Sequence, residues 1–312
     1  MRVLFLDIVH PVLEQKLTEN GYSCDHNYAC SYEEAVTLIP NYEGVVIRSR
    51  IPVDAKFIAA ATSLKFIARS GAGLENIDLQ AAASANIDVF NSPEGNMDAV
   101  AEHAIGMLLM LFNRLNFADA EVRTGEWNRE KNRGLELAGK TVGIIGFGFM
   151  GSAFAKKLSG FDCRILAYDK YKTGYAPNYV SEVDLKYLQA NSDIISIHLP
   201  LSEETDYYVD ENFINACKNP FYLINTARGR HVNTSALLQG LASAKILGAC
   251  LDVLEYEKKS FEKLSFADLP DDFKTLASIP QVVLSPHVAG WTTESYEKLS
   301  LYLAEKILKK KY

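Results

Sequence analysis

A chain of 312 residues, 48% of them hydrophobic and 23% charged, is long enough for about two packed domains. Its net charge of -7 argues against a nucleic-acid surface or an anionic-membrane surface, but leaves room for a local arginine cluster that holds a small anion. Five cysteines, at 24, 30, 163, 217 and 250, form no CxxC pair and no metal-ligand spacing with histidine, so idle thiols in a reducing cytoplasm are expected and no metal is.

The start, MRVLFLDIVHP, has only a short apolar run that Asp7 interrupts, so it reads as a first strand and not as a signal peptide or membrane span. Residues 1–97 then alternate short strand-like and helical runs: 3–8, 12–20, 44–48, 54–61 and 64–68, a small α/β domain with parallel strands. Two of its loops carry chemistry. Arg48 and Arg50, in Ile47-Arg48-Ser49-Arg50, follow a strand, where ligands gather in open α/β sheets, and arginine there can grip a carboxylate or phosphate; a solvated strand end is the alternative. The small residues Gly71, Ala72 and Gly73 can present consecutive backbone N–H groups to an anion, or simply make a turn. After the loop NSPEGN at 91–96, a helical pattern runs over 97–120. His103 within it reads as a packed or interface residue. The polar stretch 123–137 is a surface connector.

Residues 141–169, TVGIIGFGFMGSAFAKKLSGFDCRILAYD, read as strand, glycine turn, helix and second strand. Gly146 permits the tight turn, Gly148 lets a pyrophosphate approach the backbone, and Gly151 lets the helix pack on the strand. The helix over 150–159 points its positive end at the phosphates. Asp169 ends the second strand, where its carboxylate can bind ribose hydroxyls and repel a 2′-phosphate; this favours NAD over NADP, with Lys170 and Lys172 softening the preference. Further strands at 194–198, 222–225, 249–253 and 282–284 complete a doubly wound sheet, and just past three of their ends stand Arg228, Glu257 and His287. The last helix, 294–310, is amphipathic and is expected to pack back on the first domain.

The motifs RSR (48–50), SGAGLENID (70–78), AVAEHA (99–104), GFGFMG (146–151), HLPLSEET (198–205), NTARGR (225–230), LDVLEYE (251–257) and SPHVAGWT (285–292) together resemble the D-2-hydroxyacid dehydrogenase family, most closely its short phosphoglycerate dehydrogenases without a regulatory domain. The resemblance implies two doubly wound parallel-sheet α/β domains. A Rossmann NAD-binding domain, 98–291, is inserted in a flavodoxin-like substrate domain, 1–97 plus 292–312. It implies a homodimer through the 98–120 region. Carried over by motif, Arg228 holds the substrate carboxylate and carbonyl oxygen, His287 is the acid/base, and Glu257 is its partner. Turning a 2-hydroxy acid into a 2-oxo acid needs a base for the hydroxyl proton and a hydride acceptor at C2; a carboxylate beside the imidazole stabilises its protonated form.

Cofactor contacts are implied at Gly146, Gly148, Phe149, Met150, Gly151, Asp169, His198, Pro200, Thr205, Thr226, Ala227, Asp252, His287 and Gly290, with Asp252 meeting the nicotinamide carboxamide. Substrate contacts are implied at Arg48, Arg50, Gly71, Ala72, Gly73, Arg228 and His287. Arg48 and Arg50 favour 3-phosphoglycerate and 3-phosphohydroxypyruvate, in serine synthesis, over glyoxylate or hydroxypyruvate. An NAD(H)-sensing binding protein is the alternative from another class. The chain departs from the family pattern in two places. Lys258 stands where a proline often follows the glutamate and begins a longer stretch to 279, and Ala289-Gly290-Trp291 replaces a two-glycine turn, with Trp291 either lining the pocket or filling space.

Overall fold

The computed structural model describes residues 1–257, 269–310 and 312. They form two compact units, Met1–Asn96 with Trp291–Tyr312, and Met97–Glu257 with residues 269–290.

The first unit is built on β1 (Arg2–Phe5), β2 (Ser23–His26), β3 (Gly44–Ile47), β4 (Phe66–Arg69) and β5 (Asp88–Phe90), ordered β2-β1-β3-β4-β5 with every pairing parallel. This is the flavodoxin-like order. A parallel sheet is covered on both faces, so its strands read as unbroken apolar runs. Alternate residues go to opposite cores: Leu4, Val45, Ile47 and Ile67 to one, Val3, Phe5, Val46, Phe66 and Ala68 to the other. The last helix, Thr293–Lys310, covers the second core with Leu303, Ala304 and Ile307. Helices α1 (Val12–Glu19), α2 (Tyr32–Leu38), α3 (Ala55–Ala60) and α4 (Leu79–Ser84) connect the strands. Three of them start on side-chain caps: Ser31 accepts from Glu34 N at 3.2 Å, Asp54 from Phe57 N at 2.9 Å and Asp78 from Ala81 N at 2.9 Å, each cap contributing about 1 kcal/mol.

The second unit begins with α5 (Met97–Asn113) and α6 (Leu115–Arg123), so the pattern over 97–120 is two helices and not one. Arg114 breaks it with φ 50°, a left-handed backbone that no helix interior tolerates. Next come β6 (Thr141–Ile145), α7 (Phe149–Leu158), β7 (Arg164–Tyr168), the two-residue β8 (Ser181–Glu182), α8 (Leu185–Asn191), β9 (Ile194–Ile197), α9 (Glu211–Ala216), β10 (Phe221–Asn225), α10 (Thr234–Ala242), β11 (Ile246–Leu251), α11 (Asp271–Ser278) and β12 (Val282–Leu284). The seven strands run β12-β11-β10-β9-β6-β7-β8, all parallel. The order reverses between β6 and β9, and ligands of such sheets bind outside the strand ends at that point. Of the longer stretch expected over 258–279, residues 258–268 lie outside the described residues; the remainder holds α11, anchored by Phe273 and Leu276. Among the described residues no helix is long and apolar enough to cross a membrane.

Candidate active site

At the reversal point β6 runs straight into the glycine turn. Gly146 has φ 91°, and a Cβ there would sit 2.5 Å from the His198 carbonyl oxygen at the end of β9, so only glycine fits. A Cβ on Gly151 would collide with the Gly146 carbonyl, which is how closely α7 approaches the strand. Around Gly148, the N-cap of α7, nothing lies within 4 Å of a built Cβ: the turn is open on the side a pyrophosphate would take. Phe149, Met150 and Gly151 form the first turn, before the helix closes its first bond from Ser152 N to Gly148 O at 3.0 Å.

Asp169 closes the turn from the other side. Its Oδ2 accepts from Phe147 N at 2.9 Å and its Oδ1 from Tyr171 N at 3.0 Å. The two lysines beside it are engaged elsewhere: Lys170 pairs with Glu204, and Lys172 Nζ donates to the Phe147 carbonyl at 2.9 Å. Lys170 and Tyr171 hold the exposed Glu204 carboxyl below its ordinary range.

Several residues expected to meet the cofactor do something else with their side chains. His198 is buried: its Nε2 shares a hydrogen bond with Ser196 Oγ at 2.8 Å, its ring packs 5.2 Å from Phe154, and burial pushes its pKa down to about 3. What the segment offers a ligand is backbone and shape. Thr205 likewise folds the loop after β9, donating to the Pro200 carbonyl at 2.7 Å and accepting from Ser202 N at 2.8 Å. Thr226 is the contrary case, a buried hydroxyl with no partner among the described residues. A buried orphan hydroxyl past the end of β10 fits a polar ligand group.

Asp252, expected at the nicotinamide, is 1% exposed and holds the turn that carries His287. Its Oδ1 accepts from Ser285 Oγ at 2.5 Å and Val288 N at 2.9 Å, its Oδ2 from Ala289 N at 2.8 Å, and its carbonyl from His287 N at 2.7 Å. Ser285 Oγ also meets His103 Nε2 at 2.8 Å, a bond that places His103 from α5 behind the turn. Neither Ser285 nor the structural side of His103 was legible as part of this network, since 182 residues separate them. The turn leaves His287 with φ 56°, an uncommon backbone for a non-glycine residue. In that conformation His287 Nδ1 lies 2.6 Å from Glu257 Oε2, both side chains about three-quarters buried, while Glu257 Oε1 accepts from Leu254 N at 2.6 Å. The nearby Glu255 is used differently, capping α10 through Thr234 N at 3.0 Å.

Arg228 follows β10 on a turn organised by Asn225, whose amide accepts from Ala227 N at 3.1 Å and donates to the Arg228 carbonyl at 2.9 Å. Arg228 Nη1 donates to the Ala227 carbonyl at 2.7 Å. A Cβ on Gly229 would run into the Leu254 carbonyl, so the turn bearing Arg228 lies directly on the turn bearing Glu257. The structure thus brings together the segments of Arg228, Glu257 and His287, the last of these on the turn that ends at Gly290.

In the first unit, Arg48 and Arg50 part ways. Arg50, expected to face a substrate, turns back into its own unit: Nε donates to Asp7 Oδ1 at 3.2 Å, Nη1 to the Cys30 carbonyl and Nη2 to the Leu6 carbonyl, both at 2.5 Å. Arg48 uses only its backbone this way, its N–H donating to Asp7 Oδ2 at 2.5 Å. Its guanidinium donates no hydrogen bond among the described residues and stacks on Trp291, 4.3 Å from the ring centroid. Asp7, at the end of β1, is the organising residue that sequence reasoning missed. In the neighbouring loop the carbonyls of Gly71, Ala72 and Gly73 accept from Ser92 N, Asn91 Nδ2 and Arg69 Nη1, while their N–H groups donate to nothing described.

Residues 105–289 match the family model described as D-isomer specific 2-hydroxyacid dehydrogenase, NAD binding domain. The chain is 34% identical over 310 residues to D-3-phosphoglycerate dehydrogenase of Archaeoglobus fulgidus, a match covering 99% of this chain and 57% of that protein. It is 37% identical over 279 residues to hydroxypyruvate reductase of Thermotoga maritima, covering 89% of this chain and 87% of that one. A solved D-2-hydroxyisocaproate dehydrogenase superposes with a TM-score of 0.83 at 27% identity, over 100% of this chain and 98% of that one. The chain therefore spans little more than half of the first relative and most of the second.

Proposed function

The chain belongs to the D-isomer specific 2-hydroxyacid dehydrogenases, with an NAD-binding domain at 105–289, and on that premise we propose that it interconverts an anionic D-2-hydroxy acid and its 2-oxo acid. The observation that carries this reading is the 2.6 Å bond between His287 and Glu257 on a turn held by Asp252. NAD supplies the hydride acceptor for C2 of the hydroxy acid. With Nδ1 committed to Glu257, His287 exchanges the hydroxyl proton through Nε2, taking it in oxidation and returning it in reduction. Glu257 fixes the ring and stabilises its protonated form. Arg228 places fixed positive charge where the C2 oxygen gains negative charge on reduction. Phe149, Met150 and Gly151 would meet the cofactor phosphates, Asp169 its ribose hydroxyls and Thr226 a polar group further along. With Lys170 and Lys172 engaged elsewhere, Asp169 selects against a 2′-phosphate, so NADH is preferred to NADPH.

The substrate reading is 3-phosphoglycerate and 3-phosphohydroxypyruvate, a reaction that would feed serine synthesis. It rests on Arg48, whose guanidinium has no acceptor among the described residues, and on the N–H groups of Gly71, Ala72 and Gly73. Arg50 no longer supports it. That loss favours a second reading, a hydroxypyruvate or glyoxylate reductase, which needs no phosphate site. A steady-state comparison of 3-phosphohydroxypyruvate, hydroxypyruvate and glyoxylate with NADH and NADPH separates the two. Arg228→Ala and His287→Ala are each expected to lower kcat at least about a hundredfold while NADH still binds; full activity in either variant removes the mechanism. Tight NADH binding with no turnover on any 2-oxo acid would instead identify an NAD(H)-sensing binding protein.

A homodimer through the α5–α6 region is part of the same reading. Helix α6 buries none of its residues, and Leu115 and Val122 stand exposed on it.

A further inference from the structure

We infer that Trp291 sets substrate specificity by clamping Arg48, fixing one face of its guanidinium so that its N–H edge presents a seat for an oxyanion on the substrate tail. This rests on the reading of a dehydrogenase for anionic 2-hydroxy acids and names the residue that selects among them. The seat is built from both sides. The Arg48 backbone is pinned, its N–H on Asp7 and its carbonyl accepting from Arg69 Nε at 3.0 Å and Asn76 Nδ2 at 3.1 Å. Among the described residues the side chain is held by the indole, 4.3 Å from guanidinium carbon to ring centroid. Trp291 is itself braced: its ring lies 5.7 Å from Tyr296, whose ring in turn meets His10 edge-on at 5.4 Å.

The neighbouring arginines show what the stack achieves. Arg50 and Arg69 hold their positions by donating to Asp7 and to backbone carbonyls, which consumes the donors a ligand would use. A π face holds a cation without accepting any of its N–H groups, so the stack orders Arg48 while, among the described residues, no acceptor takes its guanidinium donors. Burial lowers the Arg48 pKa from its ordinary value, opposed by Asp7 and Tyr296, and this partial desolvation strengthens attraction to an incoming anion. Trp291 is 49% exposed. The half-exposed indole leaves the stacked guanidinium within reach of solvent. A planar donor fork matches a phosphate or carboxylate with two parallel bonds; a neutral hydroxyl tail would gain little from it.

The test compares 3-phosphohydroxypyruvate with hydroxypyruvate, which differ only in the phosphate. Trp291→Leu is expected to lower the ratio of their kcat/KM values about tenfold through KM, with kcat little affected, and Trp291→Phe to restore most of it. Combined with Arg48→Gln, Trp291→Leu should add no further loss of discrimination, because both remove one seat. Equal losses for both substrates, or additive losses in the double variant, would overturn the clamp in favour of a structural tryptophan. An independent readout needs no turnover. In a Trp127→Phe background the remaining indole emission should change on titration with 3-phosphoglycerate and not with glycerate. A response without catalysis keeps the clamp and refutes the dehydrogenase reading; turnover with a flat emission signal refutes the clamp alone.

Discussion

His198 and Arg50 follow motif positions faithfully, yet their side chains are engaged by groups of their own units. In both cases the deciding partner is a polar group that no local pattern announces: Ser196, two residues back on the same strand, and Asp7, 43 residues away. The set Arg228, Glu257, His287 was legible because each follows a strand end, the C-terminal ends of a parallel sheet lie along one edge, and the family motifs assign the three their roles. The His198 burial has a titration consequence. Its pKa is about 3 in the folded chain against 6.5 ordinarily, so between these values the unfolded chain binds a proton that the folded chain refuses. Its contribution is intact above pH 6.5 and is lost as pH falls toward 3, at about 1 kcal/mol per pH unit in mid-window. Urea midpoints of the wild type and His198→Gln from pH 7 to pH 4.5 should converge as pH falls. A constant gap would mean that the folded imidazole titrates freely.

Among elements, most strands that sequence reveals are buried on both faces, such as β3 and β6, with the edge strand β12 at 282–284 an exception. Those it misses are edges: β2 is Ser-Cys-Asp-His with no residue fully buried, and β8 has two exposed residues. An edge strand is defined by its one neighbour, and composition carries little of that. The break at Arg114 was invisible for a related reason, since Asn113, Arg114 and Leu115 are all compatible with a helix, and only the backbone shows the turn. That break frees α6 to leave its own unit's core, where it buries nothing. If the proposed dimer forms through this face, light scattering should therefore show a dimer for the wild type and a monomer for a Leu115→Glu, Val122→Glu variant, with NADH binding retained. An unaltered mass would move the interface elsewhere.

For the whole molecule, the two sheets were legible as α/β rhythm, while the handedness and adjacency rules of parallel connections only narrow their strand orders, which the structure supplies. Each unit has its own pair of cores, so damage to one should be read separately from the other. Leu303→Ala, in the last helix, is expected to cost about 2–5 kcal/mol in the first unit. Hydrogen exchange should then quicken in β1, β3 and β4 while β6 and β7 keep their protection. Uniform loss across both sheets would show a single cooperative unit.

The last helix also sets an order of assembly. The residues that finish the first sheet's second core lie in Thr293–Lys310, more than 200 positions after the strands they cover. At about 5–20 residues per second, synthesis leaves Val3, Phe5, Val46 and Phe66 without that cover for roughly 10–60 s. The NAD-binding unit is complete on the ribosome before the unit that began first, and for most of its birth the nascent chain carries an apolar sheet face that α1 covers in part, through Leu13 and Leu17, without the last helix.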